Sequence, residues 1–209
     1  MNSKDKILAA LRQNVRETYD MPELDALEGI SYPDPVAQFI QKTTTTAGAR
    51  LIEMHAGDDV NSLIRQAYPE ARLLASNVPG VEAQMNPDTV SDARELMQVD
   101  VGILQGHIGV AENACIWIPQ TMRQKAVCFA PQQLVILLRR EDIVSNMHQA
   151  YERIRLSSEY FRDYPFGTFI SGPSKTADIE SALVYGAQAA RAVTVILTPA
   201  ASGLTLNAI

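Results

Sequence analysis

Cysteine is scarce in this chain of 209 residues: only Cys115 and Cys128 occur. Neither belongs to a C-x-x-C pair, so the sequence holds no motif for a zinc site or for an iron–sulfur cluster of its own. Both lie in apolar stretches and read as small core residues. His55, His107 and His148 have no partners at metal-ligand spacing, and no metal site is expected. No apolar run approaches the ~20 residues needed to span a bilayer. Residues 1–6 lack a signal peptide's long apolar segment, so a cytoplasmic location is expected. Positive charge is in deficit, with 18 Lys and Arg against 24 Asp and Glu and a net charge of −6. That balance predicts repulsion from nucleic acids. With no basic groove for bases to follow, Trp117, Tyr151, Tyr160 and Tyr164 read as packing residues rather than a base-stacking platform. Neither a Walker loop nor a G-x-G-x-x-G turn is present.

What is present suits one compact domain: 46% of residues are hydrophobic, enough for an ordinary core at this length. Ile7, Leu8, Leu11 and Val15 fall on one helical face behind Ser3, which predicts an amphipathic helix over residues 3–16. The expected organisation is this N-terminal helix in residues 1–20, followed by an α/β domain in 21–209. Pro22, Gly29, Pro33 and Pro35 mark a loop leading to a short helix over 36–42. The four threonines 43–46 with Gly48 read as a solvated loop. Strands are predicted at 50–54, 72–76, 99–104, 115–118, 127–130, 134–138, 168–170 and 193–197. Helices are predicted at 58–68, 141–154 and after the Gly-Pro-Ser turn at 172–174. The alternation implies an open, mixed but mostly parallel sheet covered by helices.

The most informative segment is Phe169-Ile170-Ser171-Gly172-Pro173-Ser174-Lys175-Thr176-Ala177-Asp178-Ile179-Glu180. It reads as a strand, a tight turn and a helix start. A helix start presents unpaired N–H groups and partial positive charge, which favours an anion. Lys175 in a first turn opposes the helix dipole unless a ligand supplies negative charge. The same residues also suffice for an unaided helix start, with Ser174 or Thr176 as cap and Asp178 complementing the dipole. A second loop, after the strand ending near Leu104, carries His107, Glu112 and Asn113. In parallel sheets ligands bind beyond the carboxyl ends of strands, which predicts a crevice between the two loops. The expected ligand-binding residues are Asn113, His107, Gly172, Ser174, Lys175, Thr176 and Asp178, with Lys175 pairing the anion. His107 could act as a base near neutral pH or be a structural histidine.

The run Ser171-Gly172-Pro173-Ser174-Lys175-Thr176-Ala177-Asp178-Ile179-Glu180 resembles the C-terminal signature of the lactate-utilization (LUD) domain family, with lysine where the family has arginine. Val101-Gly102-Ile103 through Ala111-Glu112-Asn113 resembles that family's second block. The resemblance implies a fold related to sugar-phosphate isomerases and coenzyme A transferases. It also implies, through the lactate utilization protein C branch, an accessory or regulatory role in L-lactate oxidation beside partners that carry iron–sulfur clusters. This sequence departs from the family at Gly186-Ala187-Gln188-Ala189-Ala190, where Gly-Val-His-Gly-Pro is common, and at Ala114-Cys115, where Gly-Thr is usual. Alanine makes the turn after Glu112 less free to adopt positive φ. Ala111-Glu112-Asn113 is also similar to the Ser-Glu-Asn-Gly turn of coenzyme A transferases. That likeness implies Glu112 as a covalent nucleophile in an independent enzyme of acyl or sugar-phosphate chemistry. A third reading is a non-catalytic scaffold working through its N-terminal helix.

Overall fold

The structure, a computed structural model, describes residues 2–15, 17, 19–20, 22–23, 29–156, 166–179 and 181–199. Helix α1 (Ser3–Asn14) is opened by Asn2, whose side chain accepts from the Asp5 N–H while Asp5 reaches back to the Asn2 N–H. None of its side chains is buried. Asp34 caps α2 (Pro35–Lys42), with proline at the first helical position where its missing N–H is harmless. The expected threonine loop is instead a π-helical turn, Thr43–Ala47, continuing α2. The Thr44 and Thr45 hydroxyls donate back to the carbonyls of Ile40 and Gln41, and Thr43 is buried. Local hydroxyl bonding thus widens the helix rather than ending it.

The chain continues through β1 (Arg50–Glu53), α3 (Val60–Ala67), β2 (Leu74–Ser76), β3 (Val101–Gln105), β4 (Ile108–Val110), β5 (Ile116–Pro119) and β6 (Gln133–Arg139). It then forms β7 (Ile143–Val144), α4 (Met147–Leu156), β8 (Gly167–Ile170), β9 (Lys175–Thr176), β10 (Val184–Tyr185) and β11 (Ala192–Thr198). The central sheet has the order β1-β11-β6-β3-β2, and every pair in it is parallel. Its middle strand shows why: Leu134 to Leu138 is an unbroken apolar run, as a strand covered on both faces requires. Leu134, Ile136 and Leu138 pack on one face with Phe39, Ile116 and Ile118, while Val135 and Leu137 pack on the other with Val60 and Ile64 of α3. A second sheet, β7-β4-β5-β8, lies over the first face, and α4 covers it through Ala150 and Met147.

Besides the threonine segment, four sequence expectations change. Residues 127–130 are not a strand: Lys125–Cys128 is a 3₁₀ turn, closed by Phe129 and Ala130 N–H groups on the Ala126 carbonyl and followed by Pro131. So short an apolar run has no period of its own to distinguish the two. The helix expected from 141 starts only at Met147, because Asn146 caps it, its Oδ1 accepting from the Gln149 N–H at 3.0 Å. The stretch before it supplies β7. Strand β8 exists as expected but pairs antiparallel with β5, outside the parallel sheet. The fourth change concerns the residues after Ser174.

Candidate functional site

No helix follows the Gly-Pro-Ser turn among the described residues. Lys175–Thr176 and Val184–Tyr185 pair antiparallel instead, as a small hairpin. The ladder is fixed at its base by the Ser174 N–H on the Ala190 carbonyl and the Gly186 N–H on the Ser174 carbonyl. The Thr176 hydroxyl, expected as a helix cap, accepts from the Asp178 N–H at 3.3 Å and closes a local turn. Ile179 and Leu183 lie more than half exposed, so a helix here would have no apolar face to bury. Glu180 and Tyr160 and Tyr164 lie outside the described residues.

Lys175 has a different partner from the one expected. Its Nζ donates to the carbonyls of Ala47 at 2.8 Å and Thr46 at 3.2 Å, at the end of the π-helical turn. These are helix C-terminal carbonyls without intrahelical donors, and a cation there also complements the dipole. Gly172 seats the turn on the same carbonyl: at φ 69 it comes so close that a Cβ would stand 2.3 Å from the Ala47 oxygen. Replacing Lys175 by methionine, which keeps the length without the donors, should therefore lower unfolding free energy by roughly 0.5–1 kcal/mol, read from the urea midpoint at unchanged slope.

The Glu112 and Asn113 turn does lie beside this segment, since the Ser171 hydroxyl donates to the Asn113 carbonyl at 2.9 Å. Glu112 itself faces another way. Its Oε2 accepts from the Met147 N–H at 3.1 Å, at the start of α4, so the half-buried carboxylate satisfies a helix N-terminus. Asn113 Oδ1 accepts from the Cys115 N–H, supporting Ala114 at φ 56. An alanine thus adopts positive φ at the position where the resembling family usually has glycine.

His107 does not join either group. It stands where β4 begins, roughly 15 Å of chain from Glu112 at ~3.3 Å per residue, next to the carboxyl end of the central sheet. It is buried, and burial together with the nearby Arg139 cation pushes its pKa down to about 4. The imidazole is therefore neutral at pH 7. Arg139 closes the last turn of β6 by donating through Nε to Asp142 at 2.7 Å. Burial raises Cys115 to about 12 and Cys128 to about 11, which leaves both thiols protonated and unreactive near neutrality. Among the described residues no cluster of three or more His, Cys, Asp or Glu side chains could hold a metal, and no helix is long and apolar enough to cross a membrane.

The concave feature beside the signature turn lies at the opposite edge of the central sheet from the one expected, at the amino ends of β1 and β11. A cleft of about 340 Å³ is lined by Gly48, Arg50, Tyr68, Pro173, Tyr185 and Arg191, with the first residues of β11 as its floor. The Tyr68 phenol is bonded to the Thr194 hydroxyl at 2.6 Å. Burial pushes its pKa up, against the Thr194 hydrogen bond and the nearby Arg50 charge, which pull it down. None of the described lining residues is acidic, and Arg191 makes no ion pair among the described residues. Arg50 and Arg191 carry no motif, which is why sequence reading missed them. The available signal was a basic residue where each of two strands begins, Arg50 as the first residue of β1 and Arg191 just ahead of β11, strands that turn out to be neighbours.

Compared with known proteins, residues 36–198 match the family model of the LUD domain. A lactate utilization protein C of Exiguobacterium sp. (strain ATCC BAA-1283 / AT1b) is 28% identical over 188 residues, covering 82% of this chain and 80% of the relative. Another from Shouchella clausii (strain KSM-K16) is 30% identical over 109 residues, covering 52% and 48%. A crystal structure of a DUF162 family protein from Deinococcus radiodurans shares the fold at a TM-score of 0.61 and 17% identity, covering 81% of this chain and 99% of that one. The chain belongs to the LUD domain family.

Proposed function

We propose that this LUD-domain chain is an accessory or regulatory subunit of an L-lactate oxidation system and that it binds a small anionic or phosphorylated ligand. The likeness to proteins named lactate utilization protein C supports the first part. One observation carries the second: in a chain of net charge −6, the cleft walled by Pro173 of the family signature holds two arginines and no described carboxylate. A concave site of one charge sign concentrates ligands of the other. The anion site thus moves from the expected helix start to the face of the signature turn that looks toward β1 and β11. Lys175 contributes charge from its place on the Ala47 carbonyl rather than direct pairing. Glu112, accepting from the Met147 N–H at the start of α4, serves structure in this reading rather than covalent catalysis.

The partners proposed are cytoplasmic iron–sulfur subunits of the same system, which fits a chain with no C-x-x-C motif of its own. Ile7 and Leu11 of α1 and Val15 just after it form a stripe with each side chain more than half exposed, the surface through which such a partner would dock. A tagged chain purified from its native cell grown on L-lactate should bring iron–sulfur proteins with it. Removal of residues 2–15 should lose them while the remaining body keeps its near-ultraviolet circular dichroism. If the intact chain elutes alone, the subunit role is wrong.

A further inference from the structure

We infer that the cleft takes a small dianion bearing a carboxylate or phosphate at each end, a class that excludes L-lactate itself as its best occupant. This rests on the anion-binding reading above and adds two-ended recognition to it. The two arginines come to the cleft lining from different elements, Arg50 at the start of β1 and Arg191 in the link between the hairpin and β11. Arg50 stands at the end of α3, its Nη1 3.5 Å from the Ala67 carbonyl and its charge felt at the adjoining Tyr68. Arg191 stands at the hairpin end. There Gly186, at φ 78, packs so tightly that a Cβ on it would fall 2.4 Å from Arg191 Cβ, and Tyr185 beside it lines the same wall.

The strand register sets the separation. Arg50 lies across from Thr194, and Arg191 precedes Thr194 by three residues on the neighbouring strand, ~10 Å along the strand direction. Between the two ends the floor is Ala192, Val193 and Thr194, whose hydroxyl is already bonded to Tyr68, and the wall is the buried Pro173. The middle of the cleft is therefore suited to a short carbon backbone, and the strong donors sit at its ends. A guanidinium binds carboxylate or phosphate through paired N–H groups, the geometry for which arginine exceeds lysine. A monoanion can engage one fork only and leaves the second cation without a counter-charge. A dianion of three or four backbone atoms engages both.

Calorimetry on the full chain separates the cases with three probes: succinate, 2-phosphoglycolate and the monoanion butyrate. Both two-ended probes, the dianion succinate and the more highly charged 2-phosphoglycolate, should bind about tenfold or more tighter than butyrate. Arg191→Ala should remove that advantage while changing butyrate affinity by no more than about threefold, since one fork remains. Arg50→Lys, which retains charge and avoids leaving the Ala67 carbonyl without a nearby donor, should weaken the dianions in the same direction. Equal affinity for butyrate and the dianions would overturn two-ended recognition and leave anion binding standing. Dianion preference unchanged in a folded Arg191→Ala protein would place the site elsewhere and overturn the assignment. No heat from any probe at millimolar concentration would overturn this inference together with the reading beneath it.

Discussion

Gly172→Ala should lose about 2–5 kcal/mol of unfolding free energy, a large fraction of what a domain of this size holds. Two causes add. Residue 172 sits at φ 69, where an alanine Cβ crowds its own backbone at a cost of roughly 1–2 kcal/mol. The added carbon would also stand 2.3 Å from the Ala47 oxygen and 2.9 Å from its carbonyl carbon. Those are backbone atoms at the end of a helical turn and cannot rotate aside, so either the signature turn or the π-helical turn must shift, at roughly 1–3 kcal/mol. Gly57→Ala supplies the control. Gly57 is also at positive φ, 95°, but nothing lies within 4 Å of its absent Cβ, so only the first cost applies. Urea denaturation of the three proteins should rank wild type, Gly57→Ala and Gly172→Ala in falling stability. Equal losses for the two variants would mean that the close approach to Ala47 is not a constraint. Because Pro173 follows directly and walls the cleft, Gly172→Ala should also weaken anion binding in whatever fraction remains folded.

The same turn shows which parts of the molecule a sequence can disclose. Apolar strands buried on both faces were plain, because five consecutive residues such as Leu134 to Leu138 admit few other fates. The parallel sheet, α3 and the N-terminal helix followed from period and caps. The hairpin at 175–185 was not legible, since the local signals of a helix start were all present: a Gly-Pro break, hydroxyl caps and acids in the first turn. They were overridden by long-range hydrogen bonds from Ser174 to Ala190 and from Lys175 to Thr46 and Ala47, which no window around the turn contains. Nor could spacing reveal that β8 joins a separate sheet, which moves Gly172, Ser174, Lys175 and Thr176 to the amino edge of β1 and β11 and away from His107. Ala114 went the other way. Alanine was expected to be less free than glycine to adopt positive φ, yet it holds φ 56 with the Asn113 side chain bonded across it. The residues of the cleft itself, Arg50 and Arg191, became neighbours only through the β1 to β11 pairing.

His107 predicts how the fold responds to acid. In the unfolded chain an imidazole titrates near 6.5, whereas burial and the Arg139 charge hold the folded value at about 4. Above 6.5 both states are neutral and pH has no effect through this group. Between 6.5 and 4 the unfolded chain binds a proton that the folded protein does not, so stability falls as pH falls. Below about 4 both states are protonated and the loss is complete. A difference of this size corresponds to about 3 kcal/mol at roughly 1.4 kcal/mol per pH unit. Carboxylates with lowered values contribute outside that window: Asp100, which accepts from the Leu73 and Arg72 N–H groups, is lowered from 3.8 and acts at lower pH. The two sources are therefore separable. Unfolding free energy of the wild type should decline from pH 7.5 to pH 4 more steeply than that of His107→Gln, which cannot titrate, whatever the absolute stability of the variant. Parallel pH profiles would mean that the imidazole is not held neutral in the fold, and would return it to the candidates for acid–base chemistry near neutral pH.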